Sequence, residues 1–104
     1  SLLYAERANL DLGKVIDLIG KGAAGCWSLN QLGPRMVNED WAPGFYVKHF
    51  IKDMGIALED AEKMNLKLKG LELAMTFYEQ VKNAGHSENG TQVLMNVLRD
   101  LNEQ

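Results

Sequence analysis

Apolar residues recur every three to four positions along this chain, and no stretch alternates over the length of a strand. That period predicts helices throughout. The class we expect is all-α, a compact multi-helix bundle of about five to seven helices. The expected helical segments are residues 1–8, 11–19, 23–32, 43–61, 71–84 and 91–101, with one more turn after Pro34.

Capping residues predict where several of these helices begin and end. Asp11 is a candidate N-cap, and Gly20 and Gly22 are expected to end the helix that follows it. Gly85 is a candidate left-handed C-cap, and Thr91 is a candidate N-cap for the last helix. We expect Gly33–Pro34 to break the third helix, because proline removes a helical hydrogen bond.

The segment from Leu71 to Ala84 carries apolar residues over more than half of its circumference. A stripe that broad predicts burial on two sides, either at the centre of a bundle or against a second subunit.

The helix "PGFYVKHFIKDMGIALEDA", residues 43–61, has two different faces. Its core stripe is Val47, Phe50, Ile51, Met54, Ala57, Leu58 and Ala61. The opposite face holds Phe45, Lys48, His49, Lys52 and Ile56, with Asp53 and Asp60 at its edge. Such a face can bind a nucleotide, a carboxylate-bearing substrate or another domain. The alternative is a plain solvated face whose lysines extend along the surface.

Composition narrows the class of protein further. The chain has 104 residues, 46% of them apolar, a formal net charge of -3 and one cysteine. This suits one domain and argues against a nucleic-acid binder. A single cysteine and the absence of a signal-peptide pattern favour the cytoplasm. With one cysteine and two histidines, we expect no metal site built by this chain alone.

Other conspicuous residues are expected to be structural. We predict that Cys26 is a small buried residue, that Trp27 and Trp41 are packing residues, and that "GKGAAG" is a turn between helices. "NGT" at residues 89–91 is predicted to be a turn, His86 to belong to a helix end, and His49 to be exposed.

Three stretches, "GAAGCWSLNQLGPRM", "DWAPGFYVKHFIKDMGIALEDA" and "GHSENGTQVL", resemble the C-terminal domain of the β-hydroxyacid (3-hydroxyisobutyrate) dehydrogenase family. The most specific part is Pro43-Gly44-Phe45 followed by Lys52-Asp53. One departure is the absence, around Asn89-Gly90, of the acidic residue common near the start of the family's last helix. The resemblance implies a fold like the 6-phosphogluconate dehydrogenase C-terminal domain. Residues 1–104 would be a substrate and dimerisation domain, residues 1–8 the tail of an interdomain helix, and the Rossmann domain would lie outside the chain.

The resemblance also implies roles for individual residues. Lys52 would reach NAD or NADP near its nicotinamide end, and Phe45 would line the cofactor and substrate cleft. Asp53 would support catalysis, while the catalytic lysine would lie outside this chain. Lys48 matches a basic position of some members and is a candidate substrate-binding residue. The expected partners are the Rossmann domain, a small β-hydroxyacid or semialdehyde substrate and further copies of the chain, with no nucleic acid or membrane. The alternative function is a stand-alone helical interaction module that uses the broad stripe as its interface.

Overall fold

The computed structural model describes residues 1–103, and the part of the chain it describes is helical as predicted. The helices are α1 (Leu2–Arg7), α2 (Leu12–Ile19), α3 (Trp27–Val37), α4 (Val47–Lys63), α5 (Lys69–Asn83), a 3₁₀ turn (Thr91–Val93) and α6 (Leu94–Leu101). Residues 1–103 contain no strand, and their only β-type pairing is an isolated antiparallel bridge between Tyr46 and Gly90. None of these helices is long and apolar enough to cross a membrane.

The core consists of two apolar clusters that share one side chain. The first packs α4, α5 and α6 through Val47, Val81, Val93 and Val97. The second packs α1, α2 and α6 through Leu2, Ile16 and Met95. Trp41 lies in the connection between α3 and α4 and contacts both clusters. The prediction that Trp41 is a packing residue is therefore confirmed.

The predicted break of the third helix is wrong. Helix α3 begins four residues later than predicted and continues through Pro34 to Val37. Gly33 is buried against α2, where an added Cβ would lie 3.2 Å from Ile16 Cδ1. A residue without a Cβ also relieves the crowding that proline imposes on its predecessor. Packing of this helix against α2 therefore outweighs the one hydrogen bond that proline removes.

Cys26 and Trp27 also differ from their predictions. Cys26 is exposed, and its Sγ accepts from the Leu29 backbone N–H at 3.3 Å, so it caps α3 instead of filling the core. Trp27 is 70% exposed. Its ring is on the surface of the first helical turn because α3 starts at this residue.

The glycine predictions for helix ends are confirmed at Gly20, which is the C-cap of α2, and at Gly85 after α5. Gly85 has φ of +92°, and the N–H groups of Gly85 and His86 bond back to the Lys82 and Val81 carbonyls, which is a Schellman motif. Thr91, in contrast, caps no helix. It begins the 3₁₀ turn, whose N-cap is Gly90, with no side-chain capping bond. The predicted Asp11 cap is confirmed by a 3.1 Å bond from the Lys14 N–H.

The broad stripe of α5 is buried on one side only in the single chain. Val81 is fully buried, whereas Leu73 is 57% exposed. Two further apolar side chains near this helix pair are half exposed, Ile56 on α4 and Leu66 in the connection. The second side of the stripe is therefore open to solvent or to another protein surface.

Candidate functional site

Two loops at one end of the α4–α5 hairpin are joined by their backbones. We call the contact between residues 40–48 and residues 86–92 the loop clamp. Its four backbone hydrogen bonds run from Gly90 N to Trp41 O (2.8 Å), Thr91 N to Phe45 O (3.0 Å), Val47 N to Asn89 O (2.9 Å) and Lys48 N to Ser87 O (3.1 Å). The loop clamp fixes Phe45 and the first turn of α4, where the predicted site begins.

A buried glutamine lies inside the loop clamp. Gln92 is 1% exposed, and its Nε2 donates to the Asp40 and Ala42 carbonyls at 2.9 Å each. Its Oε1 has no hydrogen-bond partner within residues 1–103. Gly90 is also buried, and a Cβ there would overlap the Gln92 side chain. The Gln92 side chain therefore occupies the space that a side chain at position 90 would need.

Phe45 lies at the rim of an apolar cleft. The cleft has a volume of about 850 Å³ and is bordered by α1, α3, α6 and the residues around Phe45. Phe45 is 44% exposed, and its ring meets Phe50 edge-on at 5.9 Å between centroids. Phe50 in turn meets Tyr78 edge-on at 4.9 Å. This aromatic row holds a flat apolar surface partly open to solvent, which suits contact with a ring or a small organic acid.

Lys48 has an intramolecular partner. Its ammonium lies 2.8 Å and 2.9 Å from the two carboxylate oxygens of Glu88. The same nitrogen is 5.2 Å from the centroid of the Tyr46 ring. The side chains of both ions are substantially exposed, at 44% for Lys48 and 71% for Glu88, so the pair adds little stability. Glu88 therefore offsets, at Lys48, the repulsion between Lys48 and Lys52, which lie one turn apart on α4.

Lys52 and Asp53 are exposed on the next turn of α4. Neither makes an ion pair or a side-chain hydrogen bond with any residue that the structure describes. Neither lines the apolar cleft, and nor does Lys48, among residues 1–103. The structure thus puts Phe45 at the cleft and the two lysines and the aspartate on the solvent-exposed surface of α4, away from the residues that line the cleft.

His49 and Ile56 share that exposed face. The His49 ring lies 6.4 Å from the Phe45 ring and 5.3 Å from the Tyr46 ring, centroid to centroid. Ile56 is 53% exposed. The exposure predicted for His49 is confirmed, and the mixed face of cations and apolar surface exists as the helical period indicates.

Two ionisable groups near the clamp have shifted pKa values. The Arg35 guanidinium that donates to Asp40 at 3.1 Å, followed by the Ala42 backbone N–H, lowers the pKa of Asp40. Burial raises the pKa of Tyr78 to about 12. The Tyr78 hydroxyl donates to the Thr91 carbonyl at 3.0 Å. Both groups hold the clamp loops in place instead of acting as acids or bases.

Sequence reasoning missed the residues that build the clamp, namely Gln92, Glu88, Tyr78 and Arg35. Each stands in an ordinary context, and their partners lie up to 52 residues away in the chain. Of these residues, only Gln92 could have been noticed in the sequence, as a single glutamine beside the apolar run that opens the last helix. The expected absence of a metal site stays a prediction for the whole chain, although residues 1–103 contain no cluster of three potential ligands.

Comparison with known proteins adds a family assignment. The family model described as "NAD-binding of NADP-dependent 3-hydroxyisobutyrate dehydrogenase" matches residues 1–98. The uncharacterized oxidoreductase YkwC of Bacillus subtilis is 49% identical over 88% of this chain and 32% of its own length. The probable 3-hydroxyisobutyrate dehydrogenase-like protein 1, mitochondrial, of Arabidopsis thaliana is 45% identical over 97% of this chain and 30% of its own.

A solved structure has the same fold. The 3-hydroxyisobutyrate dehydrogenase YgbJ of Salmonella typhimurium superposes with a TM-score of 0.87 at 22% identity, over 92% of this chain and 34% of that one. The chain spans about a third of the length of the relatives it matches. By the family match over residues 1–98, the chain belongs to the 3-hydroxyisobutyrate dehydrogenase family.

Proposed function

We propose that this chain is the C-terminal helical domain of an NAD(P)-dependent β-hydroxyacid dehydrogenase. A Rossmann domain would occupy the part of the protein that precedes it. The observation that carries the proposal is the family match over residues 1–98, together with relatives about three times as long. The complete enzyme would move a hydride between a short β-hydroxyacid and the nicotinamide, and a lysine outside this chain would take the alcohol proton.

The exposed groups on α4 fit the nicotinamide end of the cofactor. The Lys52 ammonium is exposed and makes no ion pair within residues 1–103, so it is available to a hydroxyl- or phosphate-rich ligand. The half-exposed Phe45 ring, just before α4, offers flat apolar area. NAD or NADP would supply the hydride acceptor, while this chain would bind and orient it through Lys52 and Phe45.

Asp53 and Lys48 would act beside these two residues. Asp53 is exposed next to Lys52 and would accept a hydrogen bond from a lysine across the cleft, keeping that group placed. Lys48 would bind the substrate carboxylate, sharing or releasing its present partner Glu88. Because the pair with Glu88 is exposed, this exchange would cost little free energy.

The half-exposed apolar residues on α4 and α5 support a second role in oligomerisation. Leu73, Ile56 and Leu66 are each at least 50% exposed, which is unfavourable unless another surface covers them. A cytoplasmic location is part of the proposal, because the 104 residues of this chain contain a single cysteine.

The proposal is tested in the full-length protein with a panel of short β-hydroxyacids and semialdehydes and both cofactors. Lys52→Ala should lower kcat/KM by about tenfold or more, mostly through weaker cofactor binding, because a charged hydrogen bond is lost. Lys21→Ala, in the exposed turn between α2 and α3, is the matched control and should leave the kinetics unchanged. Wild-type kinetics in Lys52→Ala would refute its role. A wild-type protein without turnover would favour the interaction module.

A further inference from the structure

Among residues 1–103, Gln92 is the one buried polar side chain, and its amide donates both of its hydrogen bonds. Both donors of its amide are used, on the Asp40 and Ala42 carbonyls, while its acceptor has no partner within residues 1–103. The amide orientation is unambiguous, because the flipped form would place Oε1 against two carbonyl oxygens. A buried unpaired acceptor is unfavourable. The Gln92 amide therefore acts as a hydrogen-bond donor to the loop before Phe45.

The two carbonyls that Gln92 binds belong to residues 40 and 42, a few positions before Phe45. The residue preceding Gln92, Thr91, donates its backbone N–H to the Phe45 carbonyl at 3.0 Å. The 3₁₀ turn thus holds the segment 40–45 at both ends. Between these two points, Pro43 has no N–H group, and the Gly44 N–H forms no backbone hydrogen bond within residues 1–103.

We infer that Gln92 is a positioning residue that acts through Phe45. By fixing residues 40–42, its amide sets where the Phe45 ring stands at the rim of the cleft. The kinetic consequence of this inference rests on the proposed function. Its structural consequence rests on the loop clamp alone. Gln92 itself does not need to touch the cofactor or the substrate.

A double-mutant cycle in the full-length enzyme tests the inference. Gln92→Met keeps a side chain of similar length without its donors, and should lower kcat/KM by about tenfold at a temperature where the protein is folded. In a Phe45→Ala background, the same substitution should change kcat/KM by less than about twofold, because the ring through which it acts is gone. Gln31→Met, at an exposed glutamine of α3, is the matched control and should have no effect in either background.

The cycle separates positioning from general stability. A purely structural role predicts a lower unfolding temperature and equal kinetic losses in both backgrounds. Equal losses, or no loss from Gln92→Met, would overturn the inference. The two variants should also affect the same kinetic parameter. If Phe45→Ala changes kcat, Gln92→Met should change kcat, and if Phe45→Ala changes KM, Gln92→Met should change KM.

Hydrogen exchange tests the structural part of the inference without any activity. The Gly90 and Thr91 amides, which donate across the loop clamp, should exchange about tenfold faster in Gln92→Met. Unchanged exchange would overturn the inference. If the wild-type enzyme turned over no substrate, the proposed function would fail, and this measurement would still judge Gln92.

A measurement on the wild-type protein covers the case in which Gln92→Met does not fold. The two side-chain amide protons of Gln92 are hydrogen-bonded and buried. They should therefore exchange with water much more slowly than the amide protons of the exposed Gln31. Equal exchange rates for the two glutamines would contradict the geometry on which the inference stands.

Discussion

At the residue scale, Lys48 forms an ion pair within residues 1–103, whereas Lys52, one turn further along α4, forms none. Two lysines one turn apart on α4 predict a negative group nearby, since like charges at this spacing repel. The structure supplies Glu88, 40 residues away, at 2.8 Å from the Lys48 ammonium. No local pattern marks Glu88, because only the loop clamp brings it to α4. Helical periodicity predicts which residues share a face, and tertiary contacts decide which of them are free.

Tyr78 gives a pH dependence at the same scale. Burial raises its pKa from 10.0 to about 12, so the folded state holds the phenol proton more tightly than the unfolded chain does. This contribution to stability is complete below pH 10 and is lost as the pH rises through about 12. Tyr78→Phe should therefore reduce the pH dependence of the free energy of unfolding in that range. Urea unfolding from pH 8 upwards measures it.

Tyr4→Phe is the matched control for this prediction, because Tyr4 is 80% exposed. It should leave the pH dependence as it is in the wild type. At neutral pH, Tyr78→Phe should also cost about 1 kcal/mol through the lost bond to the Thr91 carbonyl. An identical alkaline profile in wild type and Tyr78→Phe would show that the phenol does not titrate differently on folding.

At the scale of elements, the helix ends were only partly predictable. Within residues 1–103, four helices end in Schellman motifs, and the left-handed residues are Asn9, Glu39, Asn65 and Gly85. Glycine and asparagine favour this conformation and glutamate does not. Glu39 is held there by what surrounds it, since its carboxylate lies 3.4 Å from the Arg99 guanidinium, which also binds Glu6 on α1. Contacts between residues so far apart in the chain cannot be predicted from the local sequence.

Three glycines should respond differently to alanine, because each is required for a different reason. Gly90 has an ordinary φ of -69°, yet an added Cβ would lie 2.7 Å from Gln92 Cδ, so Gly90→Ala should cost about 1–3 kcal/mol. Gly85 has free space but φ of +92°, so Gly85→Ala should cost about 1 kcal/mol or more through backbone strain.

Gly70→Ala is the contrasting control for these glycines. Gly70 lies in α5 with nothing within 4 Å of an added Cβ, so alanine there should stabilise the protein by roughly 0.5–1 kcal/mol. Thermal or urea unfolding of the three variants gives the comparison. A stabilising Gly90→Ala would mean that Gln92 is not packed as the structure has it.

At the scale of the whole molecule, the single chain leaves large apolar side chains uncovered on α4 and α5. We expect the isolated chain to self-associate at high concentration through this surface. Leu73→Glu, at a residue 57% exposed, should return it to the monomer mass of 11.6 kDa in sedimentation equilibrium. Leu18→Glu, on α2, is the control and should leave association unchanged. A strictly monomeric wild-type chain would contradict the prediction.

The sequence predicted the all-α class, six of the helical segments and the two faces of α4, because these depend on local period. It did not predict the course of α3 through Pro34, the exposure of Cys26 or the role of Gln92, because each depends on packing between distant residues. The roles of Lys52, Phe45, Lys48 and Asp53 remain predictions. Their surfaces are compatible with the roles proposed, and only the kinetics of the complete protein can test them.

The pairing of Tyr46 with Gly90 means that the polypeptide leaves α4 and α5 at the point where it entered them. Backbone contacts therefore close the α4–α5 hairpin at the end opposite its exposed tip, residues 65–67. The peptide bonds of the tip are not needed to keep the two helices together. A nick confined to the peptide bond after Lys67 should give two fragments that stay associated through gel filtration and separate only in denaturant. New chain termini could be opened there without disturbing the opposite end of the domain.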